Sequence, residues 1–196
     1  MKANKLYILL AILMFAGSVS LFAQTGRFGM TYNTGLSLGE SAEIAKQFSW
    51  RGAGMEGRWD VGSDFYLGFS SSWSTFYESR SGTFTKDTRT FTGTQYRYLN
   101  VLPQMFTAYK HFESSGTVTP YIGTGIGATY AIQEVQMGLW LVDEYNWHFG
   151  LAPEVGILLN GYSTTSFMLS VRYNYAFEVS DAPAVSYLNF NIGFLF

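Results

Sequence analysis

The 196-residue sequence predicts an all-β fold, an eight-stranded antiparallel up-and-down β-barrel that crosses a lipid bilayer. Three observations predict it. Beyond residue 24 the chain alternates apolar and small polar side chains with period 2, the pattern of strands with two unlike faces. Charged residues make up 13% of the chain, about half of the roughly 25% usual in soluble domains, while aromatics reach 18%. Short and long connections between the alternating segments take turns along the chain. A solvated exterior needs charge, so an ordinary cytoplasmic protein is excluded.

The first 23 residues read as a secretory signal peptide, with the barrel domain covering 24–196. Lys2 and Lys5 form a basic start, Leu6 to Ala16 an apolar core, and small residues lead to Ala23 before Gln24. The apolar run is short for a spanning helix, which needs about 20 residues. Net charge is −2; loss of the two lysines leaves 10 basic against 14 acidic residues, a net −4. Basic residues are scattered, so there is no nucleic-acid footprint. With no cysteine there are no disulfides, no thiolate chemistry and no lipid-modified N-terminal Cys.

Eight segments follow in order. Phe28, Met30, Tyr32, Leu36 and Leu38 alternate with Gly29, Thr31, Asn33, Gly35 and Ser37 in the first. The second sets Ala53, Met55, Trp59 and Val61 against Gly54, Glu56, Arg58 and Asp60; the third sets Phe65, Leu67, Phe69 and Trp73 against Gly68, Ser70, Ser72 and Ser74. In the noisier fourth, Leu99, Val101, Pro103, Met105 and Tyr109 form the more apolar row, opposite Asn100, Gln104, Ala108 and Lys110. Ile122, Ile126, Ala128, Tyr130 and Ile132 oppose Tyr121 and a run of glycines in the fifth. Trp147 to Leu159, Phe167 to Phe177 and Leu188 to Phe196 complete the set. Each is near the 9–11 residues that cross a bilayer as a tilted strand.

The connections after the second, fourth and sixth segments are short (61–64, 111–117, 160–165). Those after the first, third, fifth and seventh are mostly longer (40–49, 78–95, 133–146, 179–186). Membrane barrels show this asymmetry, with both termini on the short-turn side.

Period 2 alone does not say which face is outside. The apolar face holds roughly forty mostly large side chains, whereas a closed eight-stranded core accepts about three layers of four. The small polar face therefore lines the lumen and the apolar face meets lipid. Trp73, Tyr77, Tyr96, Tyr98, Trp147, Tyr175 and Tyr187 at the long-loop end, with Trp59 and Tyr109 at the other, are placed as interfacial girdles.

With its segments Tyr98 to Pro103, Pro120 to Tyr130 and Tyr187 to Phe196, the chain resembles the small outer-membrane β-barrels of diderm bacteria, of the eight-stranded OmpA/OmpX kind. The resemblance implies location in the cell outer membrane and contact with outer-membrane lipid and lipopolysaccharide. It also implies folding by the barrel-assembly machinery, for which the terminal aromatic Phe196 matches the family's assembly signal. Function is expected to be non-enzymatic, in envelope integrity or in surface interaction and adhesion; the alternative is a narrow pore for small or hydrophobic solutes.

Few charges fall on the inward face: Glu56, Arg58, Glu154 and Arg172, with Lys110 and Glu178 nearer the ends. The first four sum to zero, and Glu154 and Arg172 flank the 160–165 turn at nearly equal distances. Charges in a poorly hydrated interior must pair, so these four are expected to form a lumen network that plugs the barrel. The alternative is a selectivity ring in a pore. Some barrels of this size hydrolyse lipid A with a His-x-Ser element; His111 and His148 are followed by Phe112-Glu113 and Phe149-Gly150, and neither matches. The Gly-x-Gly-x-Gly run at 123–127 lies within a strand, where glycine serves packing or curvature. No metal-ligand cluster is evident and no cofactor is implied.

Residues 82–93 read almost as a mirror about Lys86-Asp87, which predicts a hairpin rising above the membrane. Residues 133–142 suit a second hairpin turning at Met137-Gly138. Such hairpins leave open sheet edges able to recruit a strand from an extracellular protein partner. Phe84, Phe91, Leu139 and Trp140 are the candidate contact residues on these loops; the alternative is loops that pack on one another or rest on lipopolysaccharide.

Overall fold

The structure is a computed structural model that describes residues 26–86, 89–112, 116–138, 140–160, 164–180 and 182–196, with side chains 84–91 and 140 outside the description. The predicted signal segment 1–23, Leu139, and the side chains of Phe84, Phe91 and Trp140 therefore lie outside the described residues.

Nine strands are assigned among the described residues: β1 (Gly26–Leu38), β2 (Gly52–Gly62), β3 (Phe65–Lys86), β4 (Arg89–His111), β5 (Val118–Met137), β6 (Trp140–Leu151), β7 (Glu154–Asn160), β8 (Ser166–Ala176) and β9 (Val185–Leu195). Strands β6 and β7 are one stave. Both pair with β5 in a single register, from Met137↔Trp140 to Val118↔Leu159, interrupted where Pro153 lacks an N–H. Every neighbour is antiparallel, and β1 pairs with β9 over Gly29–Leu38, so eight staves close into a ring. The ring has no edge inside the membrane, where no water could satisfy one.

The outward row is apolar almost all the way round. Phe28, Met30, Met55, Leu67, Phe69, Phe106, Ile122, Ile126, Phe149, Val155, Ile192 and Phe194 are all exposed, as a lipid-facing belt requires. Stave β4 is the exception to the expected facing. Leu99, Val101, Met105 and Tyr109 point inward and are buried, while Phe106, 71% exposed, points to lipid. Its more apolar row faces the lumen because the lumen needs apolar fillers there. On its outward row Asn100 accepts from Thr75 at 2.6 Å and Gln104 donates to Ser71 at 2.7 Å, so these polar groups are paired across strands. Lys110 moves outward with this row and sits over the Phe65 ring at 4.7 Å. Tyr109 is consequently lumenal, and Tyr187 on β9 also points inward; each is 1% exposed and belongs to no girdle.

The short connections come out as expected: β2 and β3 join through Ser63 and Asp64, both with positive φ, as a tight hairpin turn requires. The long connections divide into two kinds. β3–β4 stays paired up to Lys86↔Arg89 and β5–β6 up to Met137↔Trp140, one residue beyond each predicted turn centre; Gly138 supplies the positive φ of the second turn. Because β4 pairs with β5 up to Gln95↔Met137, the two hairpins form one raised four-stranded sheet with open edges on β3 and β6. The β1–β2 connection instead folds inward over the mouth. Its helical turn α1 (Ser41–Ile44) puts fully buried Ala45 against Phe76, Leu99, Val101, Val185 and Tyr187.

Candidate functional site

The site lies in the periplasmic half of the lumen and begins with strand register. Glu154 on β7 is the direct cross-strand partner of Arg172 on β8, and Glu56 and Arg58 are successive inward residues of β2. The barrel brings all four together. Arg58 meets Glu56 at 2.8 Å and Glu154 at 3.8 Å; Arg172 meets Glu56 at 3.5 Å and forms its closest ion pair with Glu154. Each carboxylate thus faces both guanidiniums, and the four charges cancel. The Arg58 side chain is wholly buried.

Two tyrosines complete the arrangement. Tyr109 donates its hydroxyl proton to Glu56 Oε2 at 2.9 Å and accepts from Arg172 at 3.3 Å. Tyr121 donates to Glu154 Oε1 at 2.7 Å and accepts from Arg58 at 3.2 Å. Their rings, set edge to face at 80°, also form a corner around the Arg58 guanidinium, at 3.8 Å and 4.5 Å from its carbon. A weakly hydrated planar cation tolerates this position where a lysine ammonium would not. His111 Nε2 lies 3.5 Å from Arg58 and its ring stacks on Tyr66, extending the packed layer toward the periplasm.

The inward glycines make room for these large groups. A Cβ on Gly123 would overlap the Tyr109 ring, and one on Gly156 would lie 2.6 Å from the Tyr121 hydroxyl. Gly123 on β5 is thus the negative of the Tyr109 ring and Gly156 on β7 that of Tyr121, while Gly125 and Gly127 let β5 close on Met105 and the Gln104 backbone. At the periplasmic mouth Arg27 donates to Ser166 Oγ at 2.7 Å, to Thr164 O at 2.9 Å and to Leu195 O at 3.1 Å, tying β1 to the β7–β8 turn and the last strand.

Sequence reasoning missed Tyr109 and Tyr121 as members of this layer and Arg27 at the mouth beneath it. Arg27 was readable, since it shares the parity of Gly29 and Thr31 on the inward row. Tyr109 was hidden by the inverted facing of β4. Tyr121 sat on the correct face, but a lone tyrosine among glycines gave no sign of a partner. His148 is buried and inward as expected, with Nδ1 2.8 Å from Phe177 O. Phe196 closes the ring: it exchanges two backbone bonds with Phe28 (2.8 and 3.0 Å) and its ring stacks on that of Phe28.

No protein-family model matches the sequence, and no curated protein matches it. Solved structures do share its fold. Neisserial surface protein A is similar over 87% of this chain and 95% of its own, at 16% identity and a TM-score of 0.58. The attachment invasion locus protein Ail of Yersinia pestis, solved with the heparin analogue sucrose octasulfate, aligns over 87% and 97% of the two chains at 13% identity and a TM-score of 0.49. The N-terminal barrel domain of Pseudomonas aeruginosa OprF aligns over the same shares at 12% identity and a TM-score of 0.46. The likeness to the Neisserial protein, the closed ring of eight antiparallel staves and the apolar belt agree: the chain has the fold of the small outer-membrane β-barrels.

Proposed function

We propose that the protein is a non-enzymatic integral barrel of the outer membrane whose lumen is sealed and whose work is done at the surface. Residues 1–23 act as its export signal and Phe196 as its assembly signal. The observation that carries the reading is the neutral, fully paired Glu56/Arg58/Glu154/Arg172 layer. A selectivity ring keeps charges facing a water path, whereas these side chains satisfy one another across the barrel. Eight staves leave an interior just wide enough to be filled. In planar bilayers the purified barrel is expected to stay silent; steady open events would sink the plug and favour the narrow-pore alternative.

A sealed lumen moves the functional weight to the raised β3–β6 sheet. Leu141 and Val142, 56% and 45% exposed on β6, stand above the membrane with no covering segment among the described residues. This favours surface interaction, by strand addition to the open edges of β3 and β6, over a purely structural envelope role. Lipopolysaccharide surrounds the base of the same sheet.

A further inference from the structure

Between the charged layer and the extracellular mouth lies a third zone, uncharged, in which buried polar side chains stand beside the apolar cluster of Phe76, Leu99, Val101, Val185 and Tyr187. Asn174 on β8 faces Tyr187 on β9, one inward step above the Arg172↔Asn189 pair and one below Ala176↔Val185. Both amide atoms of Asn174, the Tyr187 hydroxyl, His148 Nε2 and the side-chain oxygens of Asn33 and Asn189 have no hydrogen-bond partner among the described residues. All five residues are at least 97% buried. A buried polar atom without a partner costs about 1–3 kcal/mol, so native proteins satisfy such atoms with water or ligand.

What covers this zone is the β1–β2 connection. Ala45 and Ser41 are completely buried, and α1 meets the top of the lumen through Ala45 and Ile44. Its ends are fastened to the barrel: Ser186 Oγ donates to Leu38 O at 2.9 Å, Gly35 and Ser49 exchange backbone bonds at 2.8 and 2.7 Å, Thr75 N–H donates to Arg51 O at 2.9 Å, and the Ser49 and Tyr32 hydroxyls bond Thr75 O and Trp50 O. Between those ends the bonds are fewer, and the Ser37 hydroxyl on Ala45 O is one of them. Ser186 N–H donates to Ser41 Oγ at 2.9 Å, Ala184 N–H to Glu40 at 2.9 Å and Arg97 to Glu43 O at 3.0 Å. The Lys46 N–H donates to Glu78 at 2.5 Å. Glu78 faces Arg80 from its own strand at 2.6 Å and Arg97 from β4 as its register partner. From the connection itself Glu43, whose carbonyl Arg97 bonds, Lys46, and Arg51, over the neighbouring Tyr77 ring at 5.9 Å, border this cluster.

We propose that residues 39–47, hinged at Leu38 and Ser49, form a movable lid, latched at Glu78, over a cup in which His148, Asn174 and Tyr187 supply the polar atoms and which takes small uncharged hydrogen-bonding solutes from the outer face. Asn174 offers donor and acceptor together, and the charges beneath already neutralise one another, so an ion entering the cup finds no counter-charge. The cup rests on the sealed lumen as its floor, which makes it a one-sided site and not a channel.

The chain has no cysteine, so His148→Cys places one reporter in the cup. The full-length barrel in lipid vesicles is treated with iodoacetamide, a small neutral amide, and with iodoacetate, its anionic analogue, each rate normalised to an exposed cysteine placed at Ser81. With the lid intact, normalised iodoacetamide labelling is expected to be at least about ten-fold slow, and faster by about that factor when 41–46 are replaced by an equal length of Gly and Ser. Glu78→Gln, a milder change that leaves the barrel untouched, is expected to speed it partway, and iodoacetate to lag iodoacetamide in every variant. Equal rates with and without the lid side chains overturn the lid. Parity of the two reagents overturns the preference for uncharged solutes. Fast labelling under an intact lid overturns the lid if the same preparation is silent in planar bilayers, and the sealed floor as well if it conducts.

Discussion

Arg58 contacts Glu56, Glu154, Tyr109, Tyr121, His111 and Met168 through one guanidinium, and nothing in the lumen substitutes for it. Arg58→Leu leaves two carboxylates facing Arg172 alone, an uncompensated negative charge in a closed interior. Breaking one partner out of a buried network costs about 3–5 kcal/mol, far more than an exposed pair contributes. The expected outcome is a lower urea midpoint for Arg58→Leu in lipid vesicles, and a smaller loss for the neutral double variant Glu56→Gln/Arg58→Leu. A double variant that loses the full sum of the single changes would show that the two do not act as a unit. The four charges were legible because charge is rare on the inward row and each sits at a fixed parity. The tyrosines that bind them were not, because a tyrosine fits lipid interface and lumen equally well. Only the cross-strand register, which puts Phe106 beside outward Phe69, settles the facing of Tyr109.

At the scale of elements, staves with small inward residues were readable from period 2 alone, and β4 was not. Alternation identifies two rows, and the richer row reads as the one that meets lipid. On β4 that rule fails because Leu99 and Val101 cap the lumen beneath the lid, so the richer row faces inward while the outward row carries Asn100 and Gln104 among its apolar residues. The lid itself carried no periodic signal; its inward fold depends on bonds such as Ser186 N–H to Ser41, 145 residues apart. Its latch gives a pH dependence of definite sign. Glu78 is held below the usual carboxylate range, chiefly by the hydrogen bond from Arg80 and also by the Lys46 N–H. A carboxyl with a depressed folded value contributes its stability above its ordinary pKa, and loses it as pH falls through the lowered one. Opening the lid breaks only the Lys46 bond, since Arg80 stays beside Glu78 on β3, so closure is expected to be constant near neutrality and to weaken only beneath the ordinary glutamate range, below about pH 4. Hydroxyl-radical footprinting of Ile44 and Tyr187 from pH 7 to pH 3 should show the step. Glu78→Gln should raise modification at pH 7 and remove the step; a step that survives in Glu78→Gln belongs to another group.

For the whole molecule, belt and raised sheet are separable, because the ring below is complete without the sheet. Ser81 and Thr94 are direct cross-strand partners on β3 and β4, and Val135 and Val142 on β5 and β6. Deleting 82–93 and 136–141 thus ends each hairpin at a facing pair that an Asn-Gly turn can close. Every contact of the charged layer, and the β1–β9 closure, lies outside the deleted residues. The shortened barrel should still insert and still migrate differently on gels before and after heating. If the sheet is the working surface, cells displaying the shortened protein should lose protein-partner binding while retaining their resistance to detergents that test the envelope. Binding that survives both deletions would place the surface role elsewhere, on the lid or at the lipid boundary. Loss of envelope resistance with binding intact would favour the structural role. The low charge content acquires its meaning at this scale: charge is kept out of the belt, paired in the lumen, and otherwise concentrated in the lid, the turns and the raised sheet that the two deletions shorten.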